Sequence, residues 1–455
     1  MSSFNKKARL NFVAKTLIVI FVFVISSYIM IPNTTVVAYA DSTVTTSNKK
    51  SIENKILTDV LDYKTEITFT SEEVNNWGIV KDTETDPGNV YYELLFDHPE
   101  IFWTSLKISW VKYDDGSYIL YINNLYDNSV IDSKRLEVQN KINEITNQFS
   151  SYDDLRKAYE IHDYITKNCT YDTDNVDKSM PSTTIDPKVD FDGYIADDKA
   201  IAKANASYFE EHSIYGVLIN GRAVCEGYAK CAKILFNKSG IESEVIRSNE
   251  HGWNYVKING NYYQMDITYD DSNDEATISP YEYFNITNSE MAHDKDNIKL
   301  HTAISGNVPT CTDDTFDKIF RNVSSGTLRG KNVVRANDRL YGIEPNGSKY
   351  NLYSCNLDGT NKTEIKSDIY DIDNVYAYNN KIYYFEYGLK DDELYMDINK
   401  YDISTGKTIQ SIDLLSEFGQ PKGDFYVCFY IKNNIMYVTL KDDNGEITKN
   451  YKVLS

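Results

Sequence analysis

Gly221-Arg-Ala-Val-Cys225-Glu-Gly-Tyr-Ala229 is the stretch that decides the fold of the centre of the chain. Apolar residues continue after it with helical spacing as far as Phe236, and a Lys-Ser-Gly run then ends the pattern. We therefore expect a helix that begins at or near Cys225. The N-terminus of a helix favours an anion such as a thiolate, and its free N–H groups can bind a developing oxyanion.

A β-hairpin is predicted next along the chain. Two strand-like runs, Trp253 to Ile258 and Asn261 to Ile267, flank Asn-Gly, which is a strong signal for a two-residue turn. Closing the turn there pairs Trp253 with Asp266. His251 then points to the same face as Asp266 and lies diagonal to it, at roughly 5–8 Å between Cβ atoms. The opposite face is expected to be core, and it carries Val256, Ile258, Tyr263, Met265 and Ile267.

Cys225, His251 and Asp266 form a candidate catalytic triad. A thiol needs a base to become a strong nucleophile, and the base needs a carboxylate or an amide to orient it. Taken singly, each of these residue types is more often structural than catalytic. Taken together, with the helix and the hairpin, they predict Cys225 as the nucleophile, His251 as the base and Asp266 as the orienting acid. Tyr215 or Trp253 is a weaker candidate, from position alone, for shaping the substrate cleft or supplying a second oxyanion donor.

These runs resemble motifs of the transglutaminase-like superfamily of Cys-His-Asp enzymes, over roughly residues 150–295. The resemblance implies an α+β fold with a papain-like or transglutaminase-like catalytic core, and acyl transfer through a thioester. It also implies the same three roles for the three residues of the triad. Gly252, Ile267 and Tyr269 depart from the usual bacterial pattern, in which Ala, Pro and Trp are common. None of these departures removes a chemical group that the mechanism needs.

The first forty residues are predicted to be a secretory signal peptide. Four basic side chains precede an apolar stretch from Leu17 to Ile31, and Ala38-Tyr-Ala40 is a small-x-small cleavage signal. An uncleaved membrane anchor is the alternative, but the apolar stretch is short for a membrane span. We therefore expect a secreted protein, extracellular or loosely associated with the cell surface, with no integral membrane segment after cleavage.

Charge and cysteine content bear on the partners and cofactors. A net charge of −21 argues against binding to nucleic acid. Six scattered cysteines are too few for a disulfide framework or a zinc site. We expect no metal and no cofactor, because the acidic run at 270–275 lacks the glycine and the terminal glutamate of a calcium loop and is better explained as a solvated turn. His162, beside two isoleucines on a predicted helix, is interpreted as a packing residue.

The chain is predicted to contain four segments: a signal peptide at 1–40, an N-terminal α+β module at 41–150, a transglutaminase-like catalytic domain at 151–305 and a C-terminal all-β repeat domain at 313–455. In the last segment, similar runs surround Tyr341, Tyr383 and Tyr437, at spacings of 42 and 54 residues that suit four-stranded propeller blades. About three such units are visible, so a partial propeller-like domain is expected. Its Tyr-rich strands could bind a cell-wall component or a protein, and ordinary strand packing explains them equally well.

Three functions remain open from the sequence. The first is secreted acyl transfer on the carboxamide or amide groups of a protein or peptide substrate, of the protein-glutamine γ-glutamyltransferase type. The second is a cysteine peptidase or amidase on the same scaffold, acting on surface or cell-wall peptides. The third is a non-catalytic surface binding protein. The triad does not choose between the first two, because both share every step up to the acyl-enzyme.

Overall fold

The computed structural model describes residues 42–174, 191–271, 280–291, 300–304, 308–320 and 333–453. The predicted signal peptide at 1–40 and residues 272–275 of the acidic run lie outside these ranges. Within them, every helix is too short or too polar to cross a membrane.

The helices are α1 (Ser42–Leu61), α2 (Ser71–Asn76), α3 (Pro87–Asp97), α4 (Asn128–Gln148), α5 (Asp154–Asn168), α6 (Phe191–Ala204), α7 (Ala206–Glu211), α8 (Cys225–Lys238), α9 (Ile267–Asp270), α10 (Asn288–Met291), α11 (Thr315–Phe320) and α12 (Leu414–Phe418), with a π-helical turn at Gly216–Asn220. The strands are β1 (Glu66–Phe69), β2 (Thr104–Lys112), β3 (Tyr118–Asn124), β4 (Thr170–Tyr171), β5 (Arg222–Ala223), β6 (Ser243–Arg247), β7 (Gly252–Ile258), β8 (Asn261–Met265), β9 (Val333–Ala336), β10 (Arg339–Asn346), β11 (Lys349–Asn356), β12 (Thr363–Ile369), β13 (Asp371–Tyr378), β14 (Lys381–Lys390), β15 (Glu393–Asp402), β16 (Lys407–Asp413), β17 (Tyr426–Lys432), β18 (Ile435–Asp442) and β19 (Gly445–Lys452).

The N-terminal part is a small antiparallel sheet covered by helices. Its strands lie in the order β1-β3-β2, and β2 and β3 form a hairpin whose turn contains Asp115 and Gly116. Helix α4 follows the sheet, and its buried residues Val138, Ile142 and Ile145 recur at the spacing of one helical face. These elements match the α+β character expected of this segment.

Helix α8 is the centre of the middle part of the fold. Every residue from Cys225 to Phe236 is buried except Glu226. The helix packs against α5 and against the antiparallel sheet formed by β6, β7 and β8. Its first turn lies so close to the preceding chain that a Cβ atom at Gly227 would be 2.7 Å from the carbonyl oxygen of Glu211. Glycine is therefore required at this position, because a side chain would push the start of the helix away.

The predicted Asn-Gly hairpin is present with the predicted register. Ile258 pairs with Asn261, and the pairing continues toward the open end of the hairpin. Asn259 and Gly260 have φ values of 51° and 87°, the left-handed conformation that this turn needs. The face predicted to be core is buried at all five positions: Val256, Ile258, Tyr263, Met265 and Ile267.

The second hairpin strand is shorter than predicted. It ends at Met265, and Ile267 begins helix α9 instead of continuing the strand. The reason is the side chain of Asp266, which accepts hydrogen bonds from the backbone N–H groups of Thr268 and Tyr269 and so caps the helix. A local cap has overridden the apolar alternation that predicts a longer strand.

The C-terminal part is a run of three antiparallel sheets. Their strand orders are β12-β11-β10-β9, β13-β14-β15-β16 and β17-β18-β19, so each sheet is a meander. The three similar sequence runs occupy the second strand of each sheet, namely β10, β14 and β18. A left-handed asparagine precedes each of these strands, at Asn337, Asn379 and Asn433. The repeat seen in the sequence is therefore one strand–turn unit that recurs in the same place in every sheet.

Each sheet packs against the next one along the chain, and each pair of neighbouring sheets shares an apolar cluster. Ile382 and Tyr384 of the middle sheet belong to one apolar cluster with the first sheet, whereas Tyr383 and Phe385 belong to another with the third sheet. The middle sheet is thus covered on both faces. Propellers typically need at least four blades, so the described strands show a stack of sheets and no propeller, and the propeller-like part of the expectation is not shown.

A buried arginine joins the first of these sheets to the middle part of the fold. The guanidinium of Arg335, on β9, lies 2.9 Å from Glu160 and 2.9 Å from Asp163, both on α5. The Arg335 side chain is 8% exposed and that of Asp163 is 10% exposed. Buried charges of this kind are stable only while each has its partner, so this cluster fixes the position of the sheet against α5.

Replacing Arg335 is therefore expected to destabilise the protein strongly. We expect Arg335→Met to lower the free energy of unfolding by about 3–5 kcal/mol, because it removes a buried cation that Glu160 and Asp163 share. Urea titration followed by intrinsic fluorescence measures this. The matched control is Arg339→Met on the neighbouring strand, since Arg339 bonds the neutral side chains of Ser354 and Asn356 and its loss should cost about 1 kcal/mol. Equal losses in the two variants would contradict a structural role for the buried ion pairs.

Candidate active site

Cys225 is the first residue of helix α8. Val224 precedes it in extended conformation as the N-cap residue, and the cysteine is 4% exposed. The start of a long helix presents backbone N–H groups and a partial positive charge to the thiol. This is the position that the sequence predicts for Cys225, and it suits both a thiolate and an oxyanion.

His251 is brought to Cys225 by the packing of β7 against α8. A Cβ atom at Gly252 would lie only 3.9 Å from the Cα atom of Glu226, and the side chain of Asn254 donates a 2.9 Å hydrogen bond to the carbonyl of Ala229. The strand is therefore held along the first two turns of the helix. Cys225 lies close enough to His251 to contribute to the raised pKa of the histidine.

Asp266 lies at the other end of the imidazole. Its Oδ2 atom is 2.5 Å from Nε2 of His251, and the side chains are 0% and 3% exposed, respectively. Burial alone lowers the pKa of His251, but the charge and hydrogen bond of Asp266 outweigh it and raise that pKa to about 10. Burial alone raises the pKa of Asp266, but His251 and a second histidine hold it well below its usual range. The pair is therefore an imidazolium–carboxylate ion pair at neutral pH.

The structure thus places Cys225, His251 and Asp266 together in one buried cluster. The diagonal relation of His251 and Asp266 across the hairpin is the one that the Asn-Gly turn predicts. Their roles as nucleophile, base and orienting acid stay a prediction.

Tyr215 and Trp253, the weaker candidates, have other partners. The Tyr215 hydroxyl donates to Glu137 at 3.1 Å, and its ring stacks on Phe102. The indole of Trp253 stacks on His251 with 5.9 Å between ring centroids, while its N–H donates to Gln264 at 2.8 Å. Trp253 therefore contacts the ring of His251 but gives its N–H group to Gln264 and not to an oxyanion, and its role in shaping the cleft stays a prediction. Tyr215 is held at the N-terminal module.

Two residues that the sequence did not single out lie at the site. His301 places Nε2 2.9 Å from Oδ2 of Asp266. Burial raises the pKa of Tyr171, and the charges of Cys225 and Asp266 contribute to the rise, so this ring also lies beside the cluster. Neither residue belongs to a motif, and both reach the site through contacts between distant parts of the chain.

A cavity of about 350 Å³ lies beside the cluster. Its walls are apolar and amide side chains together with His301: Trp253, Gln264, Asn288, Met291, His301, Thr302, Ala303 and Val308. Trp253 and His301 both contact the ring of His251, at centroid distances of 5.9 and 5.3 Å. These two side chains therefore form the wall between the cavity and the histidine.

His251, Asp266 and His301 are also the set of described residues that could hold a metal ion. Their ligand atoms all lie within 4.8 Å of one another, and two imidazoles with a carboxylate suit a transition metal. A metal-bound histidine usually donates its other N–H group to a second partner. Nδ1 of His301 has no such partner among the described residues. Hydrogen bonding to Asp266 accounts for the arrangement without an ion.

A second buried histidine, His162, contacts the last residue of helix α9. His162 is fully buried, with Nε2 3.0 Å from Asp270 and Nδ1 3.2 Å from Asp163. Burial alone lowers its pKa, but these two carboxylates raise it to about 9. His162 was predicted to be a packing residue. It is buried as that prediction requires, but it also carries a charge that links α5 to the end of α9.

The comparisons with known proteins agree with the motifs. Residues 140–294 match the profile of a family described as transglutaminase-like domain, so an α+β fold with a transglutaminase-like core is confirmed for this part of the chain. A crystal structure of a TGase is similar over 39% of this chain and 47% of that one, at 14% identity and a TM-score of 0.21. The apo AtxE2 isopeptidase covers 25% of each chain at 11% identity and a TM-score of 0.14. No curated protein matches the chain.

Removing the charge of Asp266 should slow the reaction of Cys225 with alkylating agents. In Asp266→Asn, the burial of His251 is no longer outweighed by a carboxylate, so the imidazole becomes neutral near pH 7 and no longer favours the thiolate. We expect iodoacetamide to alkylate Cys225 at least about tenfold more slowly at pH 6 than in the wild type. Peptide mapping by mass spectrometry measures the rate, with buried Cys231 as the internal reference.

Glu250→Gln provides the matched control for Asp266→Asn. Glu250 is exposed and adjacent to His251 in the sequence, so its replacement should leave the alkylation rate unchanged. An unchanged alkylation rate in Asp266→Asn would show that the Asp266 carboxylate does not control the reactivity of Cys225 through His251.

The charge on His162 predicts a pH-dependent stability. The ordinary pKa of histidine is about 6.5, and the folded-state pKa of His162 is raised to about 9. Its contribution is therefore fully present below about pH 6.5 and is lost as the pH rises through about 9. We expect the difference in Tm between the wild type and His162→Gln to be largest near pH 6 and to shrink toward pH 10.

His212→Gln is the control of opposite sign. His212 is buried and its pKa is lowered by burial, so its unfavourable contribution grows as the pH falls below about 6.5. If His162→Gln and His212→Gln changed with pH in the same direction, the charge assigned to His162 would be wrong.

Proposed function

We propose that this protein is a cysteine acyl-transfer enzyme that acts on carboxamide or amide groups of a protein or peptide through a thioester. The observation that carries the proposal is the buried ion pair of His251 and Asp266 beside a cysteine at the start of a helix. The transglutaminase-like domain over residues 140–294 supports the same class of chemistry. The position of the pair beside a thiol, at the start of a helix, favours a catalytic role over binding alone.

The proposed reaction begins with the thiolate of Cys225 paired with the imidazolium of His251. The sulfur attacks the carbonyl carbon, and the oxygen takes up the negative charge near the backbone N–H group of Cys225. His251 donates its proton to the nitrogen of the leaving group, so ammonia or an amine departs and a thioester remains. A second nucleophile then gives its proton to His251 and attacks the thioester, which regenerates the thiolate.

The identity of the second nucleophile decides the activity. A primary amine such as a lysine side chain gives an amide crosslink, whereas water gives deamidation of a glutamine or cleavage of a peptide. We propose amine transfer as the activity and keep hydrolysis as its alternative. Both reactions proceed through the same thioester and differ only in the nucleophile that attacks it.

We also propose that the enzyme acts outside the cell on surface proteins or peptides. The basic and apolar composition of the first forty residues supports this, and so does the net charge of −21, which suits a secreted protein. The three C-terminal sheets are proposed to be a partial propeller-like array that contributes to binding a substrate or a cell-wall component. Their face-to-face stacking and the strand–turn repeat support this array.

The proposed activity is tested with a glutamine-containing peptide and a fluorescent primary amine. We expect the purified protein to incorporate the amine into the peptide with release of ammonia, and Cys225→Ala to reduce the product to background. Cys231→Ala, which removes a buried sulfur on the same helix, should retain the activity. Peptide cleavage without amine incorporation would establish the hydrolytic alternative, and neither product across a panel of peptides would contradict both.

A further inference from the structure

We infer that His301 is a positioning residue for the proposed triad, which it completes by holding the Asp266 carboxylate at the end of His251 opposite Cys225. The inference rests on the proposed function, since it assigns a role within that site. The family motifs do not include this residue, and it lies 35 positions after Asp266 in the chain.

The hydrogen bonds of Asp266 carry the inference. Oδ1 accepts the backbone N–H groups of Thr268 and Tyr269 at 3.0 and 3.2 Å. Oδ2 accepts both histidines, with Nε2 of His251 at 2.5 Å and Nε2 of His301 at 2.9 Å. An ionised carboxylate can only accept, so both imidazoles must donate to the same oxygen. Among the described residues, four donors fill the carboxylate, and His301 supplies the side-chain donor that is not His251.

The surroundings of His301 select the tautomer. Nδ1 is buried with no hydrogen-bond partner among the described residues. A proton at Nδ1 would be a buried donor without an acceptor, and a second imidazolium beside His251 would add repulsion. A proton on Nε2 donates to Asp266 and leaves no buried donor unpaired at Nδ1. His301 therefore acts as a fixed donor.

An aromatic cage fixes the ring of His301. Tyr283 stacks on it at a centroid distance of 5.4 Å, Trp253 meets it edge-on at 5.1 Å, and Tyr269 lies at 5.3 Å. The His301 side chain is 1% exposed. Nearby, the N–H group of Ile304 donates to the carbonyl of Arg247, at the end of β6, at 2.9 Å. These contacts hold the donor in a single direction.

The consequence for the site is a carboxylate that cannot rotate. The backbone donors hold Oδ1, and His301 holds Oδ2 in the position where it meets His251. Without His301, Oδ2 has a single donor, and the carboxylate can turn with the imidazole. Small displacements of a catalytic group slow a reaction by up to about a hundredfold, so this restraint should matter for the rate and less for substrate binding.

The inference is tested with His301→Met and His301→Gln. Methionine fills a similar space without a donor, whereas the glutamine amide N–H₂ reaches about as far as Nε2 and can still donate. We expect His301→Met to lower kcat of amine incorporation and the rate of Cys225 alkylation by about ten- to a hundredfold, with KM changed less than about twofold. His301→Gln should stay within about threefold of the wild type in both assays. Equal losses in the two variants, or no loss in His301→Met, would overturn the role.

A second measurement does not depend on turnover. Nitrogen-15 histidine NMR of the wild-type protein should show one of the six histidines, identified as His301 by its absence in His301→Gln, protonated on Nε2 and unprotonated on Nδ1 at pH 7. Asp266→Asn should shift its Nε2 resonance. A ring protonated on Nδ1, or on both nitrogens, would overturn the inference. If no peptide is turned over, the proposed function fails, and the NMR and alkylation results still decide the role of His301.

Discussion

The hydrogen bonds accepted by the buried carboxylate of Asp266 are the interaction on which the site depends. A carboxylate removed from water is stable only when its lone pairs are filled by donors, and here two backbone N–H groups and two imidazoles fill them. One side chain therefore ends the hairpin strand, begins helix α9 and orients His251. Because these tasks share one group, a change in any of the other three donors alters the environment of His251.

Helix α9 is too short to be stable by itself, and carboxylates hold it at both ends. Asp266 caps its start. At its end, Asp270 accepts the N–H group of Tyr283 at 2.8 Å and contacts His162 at 3.0 Å. From His162 the buried charges continue through Asp163 to Arg335 on the first C-terminal sheet. Buried ion pairs thus connect the C-terminal sheets to the end of helix α9, whose start carries Asp266, so these sheets help to hold the site in place.

Much of the site was predictable because its determinants are local. A two-residue Asn-Gly turn fixes the register of a hairpin, so the relation of His251 to Asp266 follows from counting residues. The helix at Cys225 follows from apolar spacing in the same way. The family motifs add the roles of these residues but not their coordinates.

What was missed depends on contacts between distant residues or on competition between local signals. His301 has no motif and reaches Asp266 from 35 residues away, and the N–H group of Trp253 is taken by Gln264, whose position depends on the fold. The strand ends early because a capping carboxylate competes with apolar alternation at Ile267. The strand–turn repeat of the C-terminal part was visible, but how many sheets stack cannot be read from a repeat with three members.

The ion pair also determines which proton moves in the proposed reaction. With the pKa of His251 raised to about 10, the imidazole already carries its proton at neutral pH. It therefore does not need to remove a proton from the thiol at the start of the reaction. Its first role is counter-ion to the thiolate. As the sulfur forms its bond to the carbonyl carbon, that negative charge moves to the oxygen, and the imidazolium loses the partner at its Nδ1 end. The proton at that end of the ring therefore becomes more acidic when the leaving nitrogen is to be protonated. Asp266, which is held in place by its hydrogen-bond donors, keeps the ring directed toward that nitrogen.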